Sequence, residues 1–140
     1  FYVIHLCGKG NLDTSLNQTE GYAQFEYASA ELCDMFALCD IAISRAGANS
    51  ICELLALHKP NILIPLSAAA SRGDQILNAK SFEKQGFARV LQEEEMTAET
   101  MKAEIFALYE KKEEYIKAME NSSAGDGVEA VMTQIKVLMR

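Results

Sequence analysis

The chain has 140 residues, 49% of them hydrophobic and 24% charged, which suffices for a globular core and excludes an intrinsically disordered chain. Thirteen Lys and Arg against twenty Asp and Glu leave a net charge of −7, which argues against a nucleic-acid partner and against non-specific binding to an anionic membrane. No apolar run approaches the ~20 residues of a membrane-spanning helix and no signal-peptide pattern is present, so a soluble, cytoplasmic chain is expected.

Residues 1–6 (FYVIHL) predict an apolar strand stopped by Gly8 and Gly10, so the chain begins inside a strand. The polar stretch 11–21 predicts a short helix or turn, and residues 23–27 (AQFEY) predict a second strand. Leu32, Met35, Phe36 and Cys39 have helical spacing. Residues 41–44 (IAIS) predict a short buried strand, and 48–58 a helix with Ile51, Leu54 and Leu55 on one face. Residues 61–65 (NILIP) predict another strand, entered through Pro60. A helix over 74–85 ended by Gly86, a last strand over 87–91, and two helices over 98–120 and 128–139 complete the order. The last two are separated at Gly125-Asp126-Gly127, and Val128, Val131, Met132, Ile135, Leu138 and Met139 form the final apolar stripe. The run Glu110-Lys111-Lys112-Glu113-Glu114 predicts a solvated face. The alternation predicts one α/β domain with a Rossmann-like parallel sheet covered by helices on both faces.

The cysteines Cys7, Cys33, Cys39 and Cys52 form no CxxC pair, and His5 and His58 lie at no metal-ligand spacing. Free, buried thiols are therefore expected, with neither a disulfide framework nor a metal site. No Ser/His/Asp set or Cys/His pair emerges from the spacing, and His5, inside a strand, is expected to be packed or at a loop edge; no catalytic residue is assigned.

In an open parallel sheet, ligands gather beyond the carboxyl ends of the strands, where loops lead into helix N-termini. The first such junction is residues 44–50 (SRAGANS). Gly47 would let the backbone turn tightly, and the free N–H groups of the next helix suit a phosphate or diphosphate, or simply mark a structural βα turn. Glu53 lies about a turn and a half into that helix. Its carboxylate can either complement the helix dipole or accept both hydroxyls of a ribose, since its two oxygens match a vicinal diol. The second junction, residues 66–75 (LSAAASRGDQ), enters a helix at Asp74. Asp74 is either an N-cap or, with Gln75, a pair for neighbouring sugar hydroxyls; Asn78 and Arg72 are secondary candidates.

The stretches 40–53 (DIAISRAGANSICE), 59–65 (KPNILIP) and 74–79 (DQILNA), with 5–11 (HLCGKGN), closely resemble the C-terminal half of the MurG family of UDP-N-acetylglucosamine:undecaprenyl-diphosphoryl-muramoyl-pentapeptide N-acetylglucosaminyltransferases. The resemblance covers nearly the whole chain. It implies the C-terminal, donor-binding half of a two-domain GT-B fold, truncated so that its first strand and Gly-Gly-Ser loop are missing. It also implies that Glu53 binds ribose, that Gly47, Ala48 and Asn49 serve the diphosphate, and that Arg45 and Asn78 support them. Tyr27 and Ala28 match a loop that reads uracil through its backbone, while Asp74 and Gln75 match a sugar-recognising pair that is two glutamines in many members.

The implied reaction is inverting, needs no cofactor or metal, and passes N-acetylglucosamine from UDP to an undecaprenyl-linked acceptor (lipid I to lipid II). The implied partner is a missing N-terminal domain carrying the acceptor site and the surface for the cytoplasmic face of the membrane. Alone, the chain is expected to be inactive. The missing strand would be a central one, so the sheet is expected either to close directly between residues 1–6 and 41–43 or to borrow a strand. The alternatives are a non-catalytic nucleotide-sugar-binding subunit with a membrane-anchored partner half, and a flavodoxin-like nucleotide-binding domain with no preference for UDP sugars.

Overall fold

The computed structural model describes residues 1–67, 73–122 and Lys136; the helix expected over 128–139 and the Gly125–Gly127 break lie outside them apart from Lys136. The chain divides into two compact units, Phe1–Cys39 and Asp40–Arg140. All the strands expected from the sequence form, each shorter than expected and the second starting one residue earlier, at Tyr22, and every ladder is parallel. Among the described residues the ladders make a two-stranded and a three-stranded sheet; closure between residues 1–6 and 41–43 is not among them.

In the first unit, β1 (Val3–Leu6) pairs with β2 (Tyr22–Phe25), Val3 opposite Tyr22 and Leu6 opposite Phe25. The connection contains a short turn of helix, Thr14–Leu16, capped by the Asp13 side chain, which accepts from the Ser15 amide. The Gln24 side chain accepts from the Asp13 amide at 3.0 Å and donates to its carbonyl, tying that turn to β2. His5 Nδ1 and the Tyr22 hydroxyl are 2.7 Å apart, so the histidine sits at an exposed hydrogen bond and not in a core. The unit ends in α1 (Leu32–Leu38). No residue in 1–39 is buried, and β1 is exposed throughout.

In the second unit, β3 (Ala42–Ser44), β4 (Asn61–Leu63) and β5 (Ala88–Val90) lie in that order, with α2 (Ala48–Ala56) and α3 (Asp74–Lys84) as the crossovers. All three residues of the central strand β4 are buried. Successive strand side chains point to opposite faces, so burial of both Ile62 and Leu63 means that both faces are covered.

Both crossover helices end by the same device. After α3, Gly86 takes φ 74, its amide donates to Glu83 O and the Phe87 amide to Phe82 O. Phe82 and Phe87 then meet edge to face with ring centroids 5.6 Å apart, which completes a Schellman motif with its apolar clasp. After α2 the same pair of bonds runs from His58 and Lys59 to Leu55 and Leu54, with His58 at φ 47. A Cβ on Gly86 would lie at ordinary contact distance, 3.8 Å from the Ala118 Cβ, so the backbone conformation carries the cost of a side chain there. Gly86→Ala is expected to lower stability by about 1 kcal/mol, measured as the shift of the urea midpoint; an unshifted midpoint refutes this.

The single helix expected over 98–120 is two helices, α4 (Ala98–Glu110) and α5 (Lys112–Glu120), broken at Lys111. α4 opens with a capping box in which Thr97 and Thr100 each bond the other's amide. Its Met101, Ile105 and Leu108 pack on Ile62, Ile64 and Leu91, whereas Met119 and Ala118 of α5 pack with Leu55, Phe82 and Phe87. One straight helix has one apolar stripe; the break lets the two segments reach two clusters, with Tyr115 touching both. The charged run at the break is more than a solvated face. Lys112 Nζ lies 2.6 Å from Asp40 Oδ1 and 4.6 Å from the centre of the Tyr109 ring. The hydrogen bond from Lys112, with its charge, holds the Asp40 carboxyl below the usual carboxylate range. Arg89 of β5 and Glu104 of α4 form a two-pronged ion pair, and the bond to Glu104 raises the guanidinium further above its ordinary value.

None of the four cysteines is buried, where buried thiols are expected: Cys7 and Cys39 are half-buried, and Cys33 and Cys52 are exposed.

Candidate functional site

Parallel strands in register end at one edge. Ser44 pairs with Leu63 and Leu63 with Val90, so the loops after β3, β4 and β5 leave the sheet side by side. The ladders run one residue further, through Ile64 N to Ser44 O at 2.8 Å and Leu91 N to Leu63 O at 3.0 Å. Beyond that point, side chains hold the loops.

The loop after β3 turns into α2 at Gly47, the N-cap, at φ −68 and ψ 142. That is extended backbone open to any residue, so the conformational freedom expected of Gly47 is not used; N-caps ordinarily adopt such angles. A Cβ here would meet nothing within 4 Å, so the glycine keeps the approach to the helix start clear. No side chain caps α2 and its first turn holds no acidic residue. Among the described residues no side chain bonds its first amides, including those of Ala48 and Asn49, which lie at the positive end of the dipole. Ala48, Asn49 and Glu53 are exposed while Ile51, Leu54 and Leu55 are buried. Asn49 and Glu53 are four residues apart and share one helix face. Glu53 lies beyond the first turn, where the dipole's effect has fallen off, which leaves little of the dipole reading.

α3 starts differently. Its N-cap is Gly73 at φ 86, and Asp74 is the first helical residue with no capping bond, so Asp74 is not the N-cap. The Asp74 side chain is exposed, whereas Gln75 is half-buried and its Oε1 accepts from the Leu66 amide at 3.1 Å, leaving the Gln75 amide group as a donor. Asn78 Nδ2 donates to Ala46 O at 3.0 Å, binding α3 to the loop that precedes α2. Arg45 reaches across the edge: Nη1 donates to Ile64 O at 3.3 Å and Nη2 pairs with Glu93 Oε1 at 2.7 Å. Arg45 and Asn78 thus brace the loops.

Glu93, just past β5, is absent from the sequence reading. Its Oε2 accepts from the Ser67 amide at 3.4 Å, so one carboxylate bonds the loops after β3 and β4. The hydrogen bond from Arg45, then that from Ser67, holds its carboxyl below the usual range. In sequence Glu93 is one of three consecutive glutamates, and no spacing marks it as the partner of Arg45.

The edge of the second unit therefore gathers Arg45, Gly47, Ala48, Asn49, Glu53, Asp74, Gln75 and Asn78 on α2, α3 and their leading loops. Tyr27 and Ala28 belong to the first unit, just after β2; Tyr27 is 71% exposed and Ala28 half-buried. Arg72 lies outside the described residues. Among those described, no helix is long and apolar enough to cross a membrane.

The chain is 59% identical over 136 residues to the UDP-N-acetylglucosamine–N-acetylmuramyl-(pentapeptide) pyrophosphoryl-undecaprenol N-acetylglucosamine transferase of Geobacillus thermodenitrificans, covering 97% of this chain and 38% of the relative. It is 57% identical to the protein of that name from Lachnoclostridium phytofermentans over the same shares. The chain thus spans about two fifths of the length of these relatives. The crystal structure of Acinetobacter baumannii MurG superposes with a TM-score of 0.72 at 20% identity, over 95% of this chain and 40% of that one, a likeness of fold. The parallel α/β architecture and the ordered motifs agree with a match of residues 1–135 to the glycosyltransferase family 28 C-terminal domain, and the chain belongs to that family.

Proposed function

We propose that this chain is the donor-binding half of an inverting N-acetylglucosaminyltransferase and that its ligand is UDP-N-acetylglucosamine. One observation carries the reading: the uncapped start of α2 and the Glu53 carboxylate share the exposed face of that helix, while Asp74 and Gln75 open the next helix along the same sheet edge. In this reading the amides of Ala48 and Asn49 take the diphosphate where Gly47 leaves room, and Glu53 accepts the two ribose hydroxyls. Asp74 accepts from, and Gln75 donates to, hydroxyls of the sugar. Tyr27 and Ala28 serve uracil. The names of the relatives support the choice of sugar nucleotide and an undecaprenyl-linked acceptor.

The chemistry is direct displacement at the anomeric carbon, with the departing UDP stabilised by the donors of the helix start. The acceptor site, the base that deprotonates the acceptor and the contact with the cytoplasmic membrane face are assigned to the N-terminal half typical of the relatives, so the 140-residue chain alone turns nothing over. Calorimetric titration tests the donor assignment. UDP-N-acetylglucosamine is expected to bind at least about tenfold more tightly than ADP-ribose, since a site built to bond the uracil, ribose and sugar groups leaves them unpaired with the wrong ligand. UDP-glucose is expected to fall between them. Equal affinity for all three would favour a general nucleotide-binding domain instead.

A further inference from the structure

We propose that Glu93 is a positioning residue of the donor site, setting the separation between the start of α2 and Leu66–Ser67, the residues after β4 to which Gln75 is bonded; the role rests on the donor-site reading above. The ladder bonds end one residue past each strand, so the loops beyond take their spacing from side chains. Glu93 is placed to set it, because both its oxygens are engaged by different loops: Oε1 by Arg45 Nη2 at 2.7 Å and Oε2 by the Ser67 amide at 3.4 Å. Arg45 extends the link to Ile64 O at 3.3 Å. One carboxylate and one guanidinium thus connect the segments after all three strands, a span that the planar fork of Arg suits and a Lys point charge does not. The pair is too exposed to matter much for folding, since ion pairs held in solvent add little to stability. Its effect is on geometry.

The diphosphate and ribose groups meet α2, whereas the sugar meets α3 across the link. Without the Glu93 charge, Arg45 is released two residues before Gly47, so UDP retains its site while the sugar contacts lose their register with it. The experiment is titration of the 140-residue chain and of Glu93→Gln, Glu93→Asp and Arg45→Lys with UDP and with UDP-N-acetylglucosamine, alongside thermal unfolding. The affinity for the sugar nucleotide relative to UDP is expected to fall about tenfold in Glu93→Gln and Arg45→Lys, as for loss of one charge-assisted hydrogen bond. Glu93→Asp, which keeps the charge, recovers part of it. An unchanged ratio in both Glu93→Gln and Arg45→Lys overturns the positioning role. So does an equal weakening of both ligands, which is what a merely structural residue would give. A parent chain that binds neither ligand overturns the donor-site reading itself, and the positioning role with it.

Discussion

Glu53→Ala is expected to weaken UDP-N-acetylglucosamine binding about a hundredfold while the chain unfolds at the parent's midpoint. Two charge-assisted hydrogen bonds to a vicinal diol, each worth about 1.5–3 kcal/mol, more than account for that factor. The side chain is exposed and bonds no described residue, so its removal takes nothing from the fold. The ligand offers a matched control. UDP carrying a 2′-deoxyribose should bind the parent about tenfold more weakly than UDP, on the loss of one such bond. The Glu53→Ala variant should scarcely distinguish the two. A variant that still discriminates between them would place the ribose away from Glu53.

Leu108→Ala should produce the largest loss of stability, about 2–5 kcal/mol. Leu108 is 0% exposed and packs with Ile62, Ile64 and Leu91, where α4 covers the sheet. Truncation removes its transfer energy and leaves a cavity beside the buried central strand, whose neighbours are too constrained to collapse into it fully. Leu77→Ala, on the exposed side of α3 at 68% exposure, is the comparison and should change stability by no more than about 0.5 kcal/mol. Similar losses for the two leucines, measured by urea unfolding, would mean that α4 does not form the lid of this core.

The strand around Ile62 was legible because the cues are local: a doubly apolar run, a proline at its entry and a helix pattern on either side. Glu53 was legible as a candidate for the same reason, since its place about a turn and a half into the helix after Gly47 is read from local spacing. The break at Lys111 was not. The run around it contains strong helix formers and neither Gly nor Pro, and only the two separate clusters that α4 and α5 meet require it. Glu93 was hidden because its partner Arg45 is 48 residues away and the contact exists only where parallel strands end together. Gly47 was misread in part: its composition suggested a tight turn, yet the N-cap angles are ordinary and its use is the open space above the helix start.

Sequence alone determined the parallel α/β class and the order of its strands, which follow from periodicity; it offered Glu53, Asp74 and Gln75 as candidates at junctions a few residues long, and the family resemblance supplied their proposed roles. Tertiary structure decided which side chains hold the site together. It engaged Gln75, Asn78 and Arg45 in bonds to backbone, recruited Glu93, replaced Asp74 with Gly73 as the cap, and separated the chain into two compact units. The physical reason is range. Hydrophobic spacing and capping act within a turn or two of chain, whereas the edge of a parallel sheet assembles residues from the loops after three strands, which no local pattern connects.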